Sequence, residues 1–320
     1  MSATLPLPTT PTTPATHTTR PTPAQPAAID VRQAHVPADK LQIVLWLLAL
    51  ACLLRLLWMV SHNEAFQWPV VLHWLSAPSI LRGLGVTLGL TAVSMVLGSL
   101  LGLLLAMARL SRSALFKSIA GLYIWFFRST PLLVQLIFLY NMATLFPEIS
   151  IGLPFGPTLV SWKTNDLITP LTAAIVGLTL NEAAYMAEII RGGLLAVDPR
   201  QLETAQAFGA SRWCALRRIL IPQAMRSIVP PTGNQLISML KATSLVSVIA
   251  MGDLLHSVQM VYNQTFEVIP LLIVAVCWYL MLTSVLNWVQ SAIERHYGKS
   301  ESDQAAPPVA AASSTTEGAP

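Results

Sequence analysis

Charge is scarce in this sequence. Only 11% of its 320 residues are Asp, Glu, Lys or Arg, whereas a soluble domain carries roughly a quarter, so most of the chain is not built to face water. Cysteine is scarce as well. Cys52, Cys214 and Cys277 are scattered in or beside apolar runs without metal or disulfide spacing, which leaves them as small packing residues. The histidines are dispersed, and none stands with a partner that would make it a ligand. There is no GxxxxGK(S/T) phosphate loop, no HExxH and no GxSxG. The chain is therefore expected to hydrolyse no ATP by itself, to hold no metal and not to be an enzyme. The period-two alternation of an outer-membrane strand is missing too. The net charge of +4 sits in loop clusters and points to no nucleic-acid partner.

What is present is apolar: 54% of the residues are hydrophobic. Several runs exceed the roughly 18–20 residues that cross a bilayer, and the pattern predicts an all-α polytopic membrane protein with six spans. These lie at about 41–60 (with Arg55 inside), 84–110, 131–146, 169–193, 228–255 and 268–293. Trp68 and Trp74 in the first link suit a membrane interface. Lys and Arg cluster in the N-terminal tail, in the link 109–128, in the segment 191–226 and at 295–299. Of the intervening links, only Arg82 and Lys163 carry a basic charge. Positive-inside bias then predicts both termini in the cytoplasm. Residues 1–36, rich in Pro, Thr and Ala, cannot bury a core and are expected to be disordered, as is the tail after Gly298. The head does not read as a secretory signal, because the first apolar run begins only at Leu41 and no small-residue cleavage site follows it.

One long polar stretch, Asp198–Ala224, lies between apolar runs on the predicted cytoplasmic side. Asp198 is a good N-cap and Pro199 a good first helical residue. Gly209 is suited to φ > 0 where that helix closes, and Ser211 to capping a second helix that should run to about Ile221 before Pro222. Leu202, Ala205 and Phe208 share one face of the first helix; Trp213, Leu216 and Leu220 share one of the second. Two short amphipathic helices joined at a glycine suit a groove on another protein. The alternative is a hairpin lying on lipid headgroups, with Arg212, Arg217 and Arg218 toward the phosphates.

Ionisable residues within spans are costly and point to function. The fourth span carries Glu182 and Glu188, and the fifth carries Lys241. At 100° per residue Gly177, Asn181, Tyr185, Glu188 and Gly192 form one stripe, and Asn234, Ser238 and Lys241 another. Both stripes are candidates to line a path, with the acids meeting an ammonium and Lys241 a carboxylate. Depth along the helices allows a Lys241–Glu182 contact and forbids Lys241–Glu188. A structural role is open for each: Glu188 stands close to Arg191 as an interfacial ion pair, and Lys241 is free to pair within the protein. Arg128 reads as an anchor at the head of the third span, and Arg55 as a snorkelling or packing residue.

Glu203, Ala205, Gly209, Ile219 and Pro222 fall on the spacing of the EAA loop of ATP-binding-cassette (ABC) importer permeases, with Thr204 in place of the first alanine and Ile221 in place of leucine. The segments GLGVTLGLTAVS (83–94), FRSTPLLVQ (127–135), LNEAAYMAEIIRGG (180–193), IPQAMRSIVPPTGNQ (221–235) and LKATSLVSVI (240–249) resemble the polar amino acid uptake branch of that family. The likeness spans about residues 80–296. It implies a five-helix type I importer core at 81–296 with a coupling loop at 198–224. Residues 41–80 would add a helix and an extracytoplasmic link, and 1–40 and 297–320 would be tails. It further implies a permease of the bacterial inner membrane that works with a cytosolic ATPase dimer, a second permease chain and an extracytoplasmic amino acid binding protein. ATP and Mg would be bound by the ATPase and no cofactor by this chain. Glu203, Ala205, Ala207, Gly209, Ile219 and Pro222 would couple to the ATPase. Gln135, Asn181, Glu182, Tyr185, Glu188, Asn234, Ser238 and Lys241 would line the substrate pathway. The rival class is an ion-coupled secondary transporter with Glu182, Glu188 and Lys241 as a proton relay; it would leave 198–224 without a task and would show inverted repeats, which are not seen.

Overall fold

The computed structural model describes residues 40–152 and 158–302; the tails expected at the two ends lie largely outside them. The chain divides into two units, meeting at Ser61 and His62. The first is helix α1, Lys40–His62, apolar and without a buried residue, long enough to cross a bilayer. Arg55 lies over the ring of Trp58 at 5.0 Å on its own helix, a cation–π contact that shields the charge locally.

The second unit holds α2 (Trp68–Leu75), α3 (Pro78–Leu110), α4 (Ala114–Ser129), α5 (Leu132–Tyr140), α6 (Met142–Leu145) and α7 (Thr164–Leu167). It continues with α8 (Pro170–Leu195), α9 (Pro199–Ala207), α10 (Arg212–Ala215), α11 (Ile221–Ala242), α12 (Leu254–Thr265) and α13 (Val268–Ser302). Among the described residues four helices are long and apolar enough to span, and six spans result only if two bent pairs count as one each. α3 and α8 form its centre. They pack through glycine: a Cβ at Gly98 would lie 2.6 Å from Cγ of Glu182, and one at Gly102 would lie 2.7 Å from Cβ of Met186. Only hydrogen at these positions lets the backbones approach this closely.

Four expectations are revised. The third span does not begin at Pro131: the supposed basic link is helix α4, which meets α5 at 102° across Thr130 and Pro131. Its apolar residues Leu115, Phe116, Ile119, Leu122 and Trp125 are exposed, so Lys117 and Arg128 had masked an amphipathic helix. The second helix of the polar stretch does not stop before Pro222. α10 passes through a π-helical turn, Leu216–Leu220, into α11. A π turn relaxes the ladder where a proline lacks its N–H and its ring needs room. The fifth span is not continuous to Leu255, because α11 ends in a 3-10 stretch, Thr243–Ile249, and Ala250 turns with φ +57°. Asp253 then caps α12, accepting from the backbone N–H of His256 at 2.9 Å and of Leu255 at 3.2 Å, so the link expected between the fifth and sixth spans is largely helix. Finally, α13 runs on to Ser302, past the end expected near Ile293.

The molecule is also not purely helical. Glu148–Gly152 and Thr158–Lys163 form an antiparallel ribbon, with Glu148 opposite Lys163 and Ser150 opposite Ser161. The alternation in EISIG and VSWK is the strand signal, hidden by the Gly and Pro residues around it.

Candidate functional site

The polar residues of the spans gather around α8. The break at Thr130–Pro131 sets the first group. In an unbroken helix residue 131 would donate to the carbonyl of Phe127, but a proline has no N–H. That carbonyl instead accepts from Asn181 Nδ2 at 3.0 Å and Gln135 Nε2 at 3.0 Å. Gln135 Nε2 also reaches Thr130 Oγ1 at 2.6 Å and the Thr130 carbonyl at 3.1 Å. Gln135 Oε1 accepts from Asn181 Nδ2 at 3.1 Å. A freed carbonyl in an apolar setting costs several kcal/mol unless it is satisfied, and these two amides satisfy it.

The stripe on α8 is thereby accounted for. A Cβ at Gly177 would lie 2.6 Å from Cδ2 of Leu136, on α5. Asn181 binds the break, and Tyr185 lies under the guanidinium of Arg128 at 5.5 Å. Tyr123 adds a hydroxyl donated to the carbonyl of Leu180 at 2.8 Å. Within one chain this stripe faces α4 and α5, not an open path. Glu188 pairs with Arg191, Oε2 to Nη2 at 2.6 Å and to Nε at 3.1 Å, the partner that the structural one of its two readings named.

Glu182 is different. It is 1% exposed, pressed against Gly98, and its Oε2 accepts from Gln235 Nε2 on α11 at 3.0 Å. Its Oε1 is buried without a hydrogen-bond partner. Gln235, not Lys241, is its neighbour. Lys241 is exposed, together with Ser227, Pro231, Asn234 and Ser238, so the α11 stripe has its polar side outward. The opposite side of α11 is buried through Met239 and Leu240.

At the other end of α11 the expected caps form, although the second helix continues into α11. Asp198 Oδ1 accepts from the N–H of Arg200 at 2.9 Å, and Ser211 Oγ from that of Cys214 at 3.2 Å. Gly209 has φ +78°. The N–H of Gly209 reaches the carbonyl of Gln206 at 2.9 Å, and that of Ala210 the carbonyl of Ala205 at 3.0 Å. This nested pair is the Schellman closure of a helix. The side chains of Gln201 and Gln223 hydrogen-bond and tie α9 to α11. The buried side is made of alanines, Ala205 and Ala215, while Glu203, Ala207 and Pro222 are exposed and Ile219 is half-buried. The shared face assumed for Leu202, Ala205 and Phe208 does not hold. Phe208 is 88% and Trp213 67% exposed, because the turn at Gly209 points both rings away from the body.

Sequence reasoning passed over Gln235, Gly98 and Tyr123. The signal for Gln235 was present, one position from Asn234 in GNQ, but periodicity placed it off the polar stripe. Gly98 lies within the second expected span and was given no contact of its own.

Comparison with known proteins follows the same lines. Residues 98–299 match the family described as binding-protein-dependent transport system inner membrane component. The chain is 39% identical over 281 residues to the arginine transport system permease protein ArgU of Corynebacterium glutamicum, covering 86% of this chain and 85% of that protein. It is 32% identical to the glutamine transport system permease protein GlnP of Escherichia coli, with 72% of this chain and 97% of the relative covered. An alignment that takes in 86% of the chain has to reach into α1, so the N-terminal helix is part of the likeness to ArgU. Among solved structures, an amino acid ABC transporter crystallised with histidines matches with TM-score 0.58 and 35% identity, over 68% of this chain and 94% of that one. The methionine ABC transporter MetNI in an inward-facing form matches in fold, with TM-score 0.54 and 20% identity over 68% of this chain and 96% of that one.

Proposed function

The chain belongs to the binding-protein-dependent inner membrane component family, a family of transport subunits and not of enzymes, and from that premise we propose that it is the permease of a bacterial ABC importer for a polar L-amino acid. A cytosolic ATPase dimer binds ATP and Mg. An extracytoplasmic binding protein delivers the cargo, and a second permease chain completes the pathway. Each bent pair crosses the membrane once, giving six spans with both termini in the cytoplasm. Residues 81–296 are the transport core, 1–40 and 297–320 are tails, and 41–80 form the added helix and link.

The observation that carries this reading is the outward polar stripe of α11: Asn234, Ser238 and Lys241 are exposed on a helix whose other side is core. Lipid is no partner for an ammonium and an amide in mid-span. The stripe therefore faces the second permease chain across a wet path. Lys241 and Asn234 meet the cargo there. Glu182 lies one layer behind and receives a cationic group when Gln235 yields it. Gln135, Asn181 and Tyr185 hold the wall of that path in shape through the α4–α5 break, and Glu188 with Arg191 closes its cytoplasmic end. The names of the relatives favour arginine or glutamine as the kind of cargo.

α9 and α10 dock on the ATPase. Their exposed Phe208 and Trp213 fill a pocket, Gly209 sets the angle, and Glu203 meets a basic group. Ala205, Ala207, Ile219 and Pro222 shape the rest of the contact. The test is reconstitution in liposomes with and without the ATPase and binding protein, measuring uptake of labelled amino acids driven by ATP or by a proton gradient. ATP-dependent uptake that requires both partners is expected. Uptake driven by the gradient without an ATPase overturns the reading in favour of ion coupling.

A further inference from the structure

The helix that begins at the ATPase-facing hairpin and the helix that bears the polar stripe are one rod. α10, the π turn and α11 run without interruption from Arg212 to Ala242, roughly 45 Å at ~1.5 Å per residue. Near its middle stand two successive prolines, Pro230 and Pro231. Neither can donate, so two rungs of the ladder are missing at one level, the local composition that lets a helix bend.

One side chain from outside the rod is fastened at that level. Gln290 of α13 is 4% exposed. Its Nε2 donates to the carbonyl of Pro230 at 2.8 Å and to Glu294 Oε1 at 2.9 Å, so the amide is held from its own helix and grips the other. Its Oε1 rests in the notch left by Gly233. A Cβ there would fall on Oε1 and lie 2.7 Å from Cδ. That oxygen is buried and has no hydrogen-bond partner. A native protein seldom leaves such an acceptor unpaired, and one half of this amide is anchored while the other is not. α11 and α13 thus meet at a polar grip set on the weak point of the rod, where apolar packing alone would hold a straight helix as well.

We propose that Gln290 is the positioning residue on which the α10–α11 rod turns, so that movement of the α9–α10 hairpin reaches Asn234–Lys241 as rotation about the Pro230–Pro231 level. The proposal rests on the ABC permease reading above. The donor half of the amide keeps the pivot in place, and Gly233, with no side chain and no hydrogen bond to Oε1, lets the rod turn past it. Without the grip, the lower half of the rod bends at the prolines and the upper half stays where it is.

The test uses the reconstituted complex with its ATPase and binding protein. Gln290→Leu keeps the size and removes the donor. It is expected to fold and to bind the ATPase, but to lower uptake per ATP hydrolysed at least tenfold. Gln290→Met, which likewise cannot donate to the carbonyl of Pro230, is the second variant, should the first fail to assemble. Spin labels at positions 217 and 238, in a chain freed of Cys52, Cys214 and Cys277, report the bend of the rod. In the parent complex the distance between them stays constant between nucleotide-free and ATP-bound states, while the distance from 238 to a label on α3 changes. In Gln290→Leu the pattern is reversed. Uptake per ATP within twofold of the parent overturns the proposal, as does an unchanged label pattern. If the parent complex itself shows no ATP-driven uptake, it is the permease reading that fails.

Discussion

At the scale of single residues, the polar groups inside the spans divide by what they touch. Gln135 and Asn181 repair a break in a helix, and Glu182 is clamped between a glycine and a glutamine. Replacing Asn181 by Leu leaves the Phe127 carbonyl with Gln135 alone and deprives Gln135 Oε1 of its donor. A buried unsatisfied group costs roughly 1–3 kcal/mol, so the thermal midpoint in detergent is expected to fall by several degrees, more than for Asn181→Gln. Glu182→Gln retains the shape and can still bond Gln235. It is expected to leave stability within about 1 kcal/mol of the parent, as an isosteric change with the bond kept, while lowering uptake of a cationic amino acid far more than that of a neutral one. Equal loss for both cargoes would remove Glu182 from recognition. Glycine has the same sharpness at Gly98: Gly98→Ala puts a methyl 2.6–2.7 Å from Glu182 Cγ and Cβ. Because those atoms are held on both sides, a loss of about 1–3 kcal/mol is expected from overpacking, read as a lower midpoint.

At the scale of elements, the caps were legible and the breaks were not. Asp198, Ser211 and Gly209 act through the three or four residues next to them, and a sequence states such neighbours directly. The 102° turn between α4 and α5 depends on Asn181, some fifty positions away, which no local pattern reports. The same holds for the end of α11, where Leu254 donates its N–H to Thr87 Oγ1 on α3 at 3.0 Å. The stripes were correctly placed on their helices, yet periodicity cannot say what faces a stripe. The α8 stripe turned out to face α4 and α5, and the α11 stripe to face outward. For the hairpin, Gly209→Ala forces a Cβ into φ +78°, costing roughly 1–2 kcal/mol. Weaker association with the ATPase is expected without loss of membrane insertion. Trp213→Ala removes an exposed ring, so it should leave the midpoint unchanged and still reduce ATPase binding. A Trp213→Ala chain that binds and stimulates the ATPase normally would exclude the hairpin as its dock.

At the scale of the whole molecule, composition sufficed for the class: with 54% hydrophobic and 11% charged residues the chain had to be built of long apolar helices. The number of crossings was less accessible, because bent pairs count as one span or two according to an angle that no hydropathy profile contains. α1 adds a different question. It is a separate unit, yet the likeness to ArgU extends into it. Removing residues 1–61 is expected to leave ATP-driven uptake in place while lowering the amount of chain in the membrane. Loss of uptake at equal membrane level would make α1 part of the transport machinery. Cysteine at position 238 should cross-link two permease chains if the polar stripe faces a second copy, and absence of that product in membranes would move the path elsewhere.

The rings of Phe208 and Trp213 have a consequence for the life of the protein in the cell. If the hairpin is the proposed ATPase dock, a chain made in excess of that partner would display two large aromatics, 88% and 67% exposed, to the cytosol, the kind of surface that chaperones and proteases read as unfinished. Covering them would then be what marks a permease as assembled, and surplus copies would be short-lived. We expect pulse-chase labelling to give the parent chain a longer half-life when the ATPase is co-expressed, and Phe208→Ser/Trp213→Ser to persist equally with and without it.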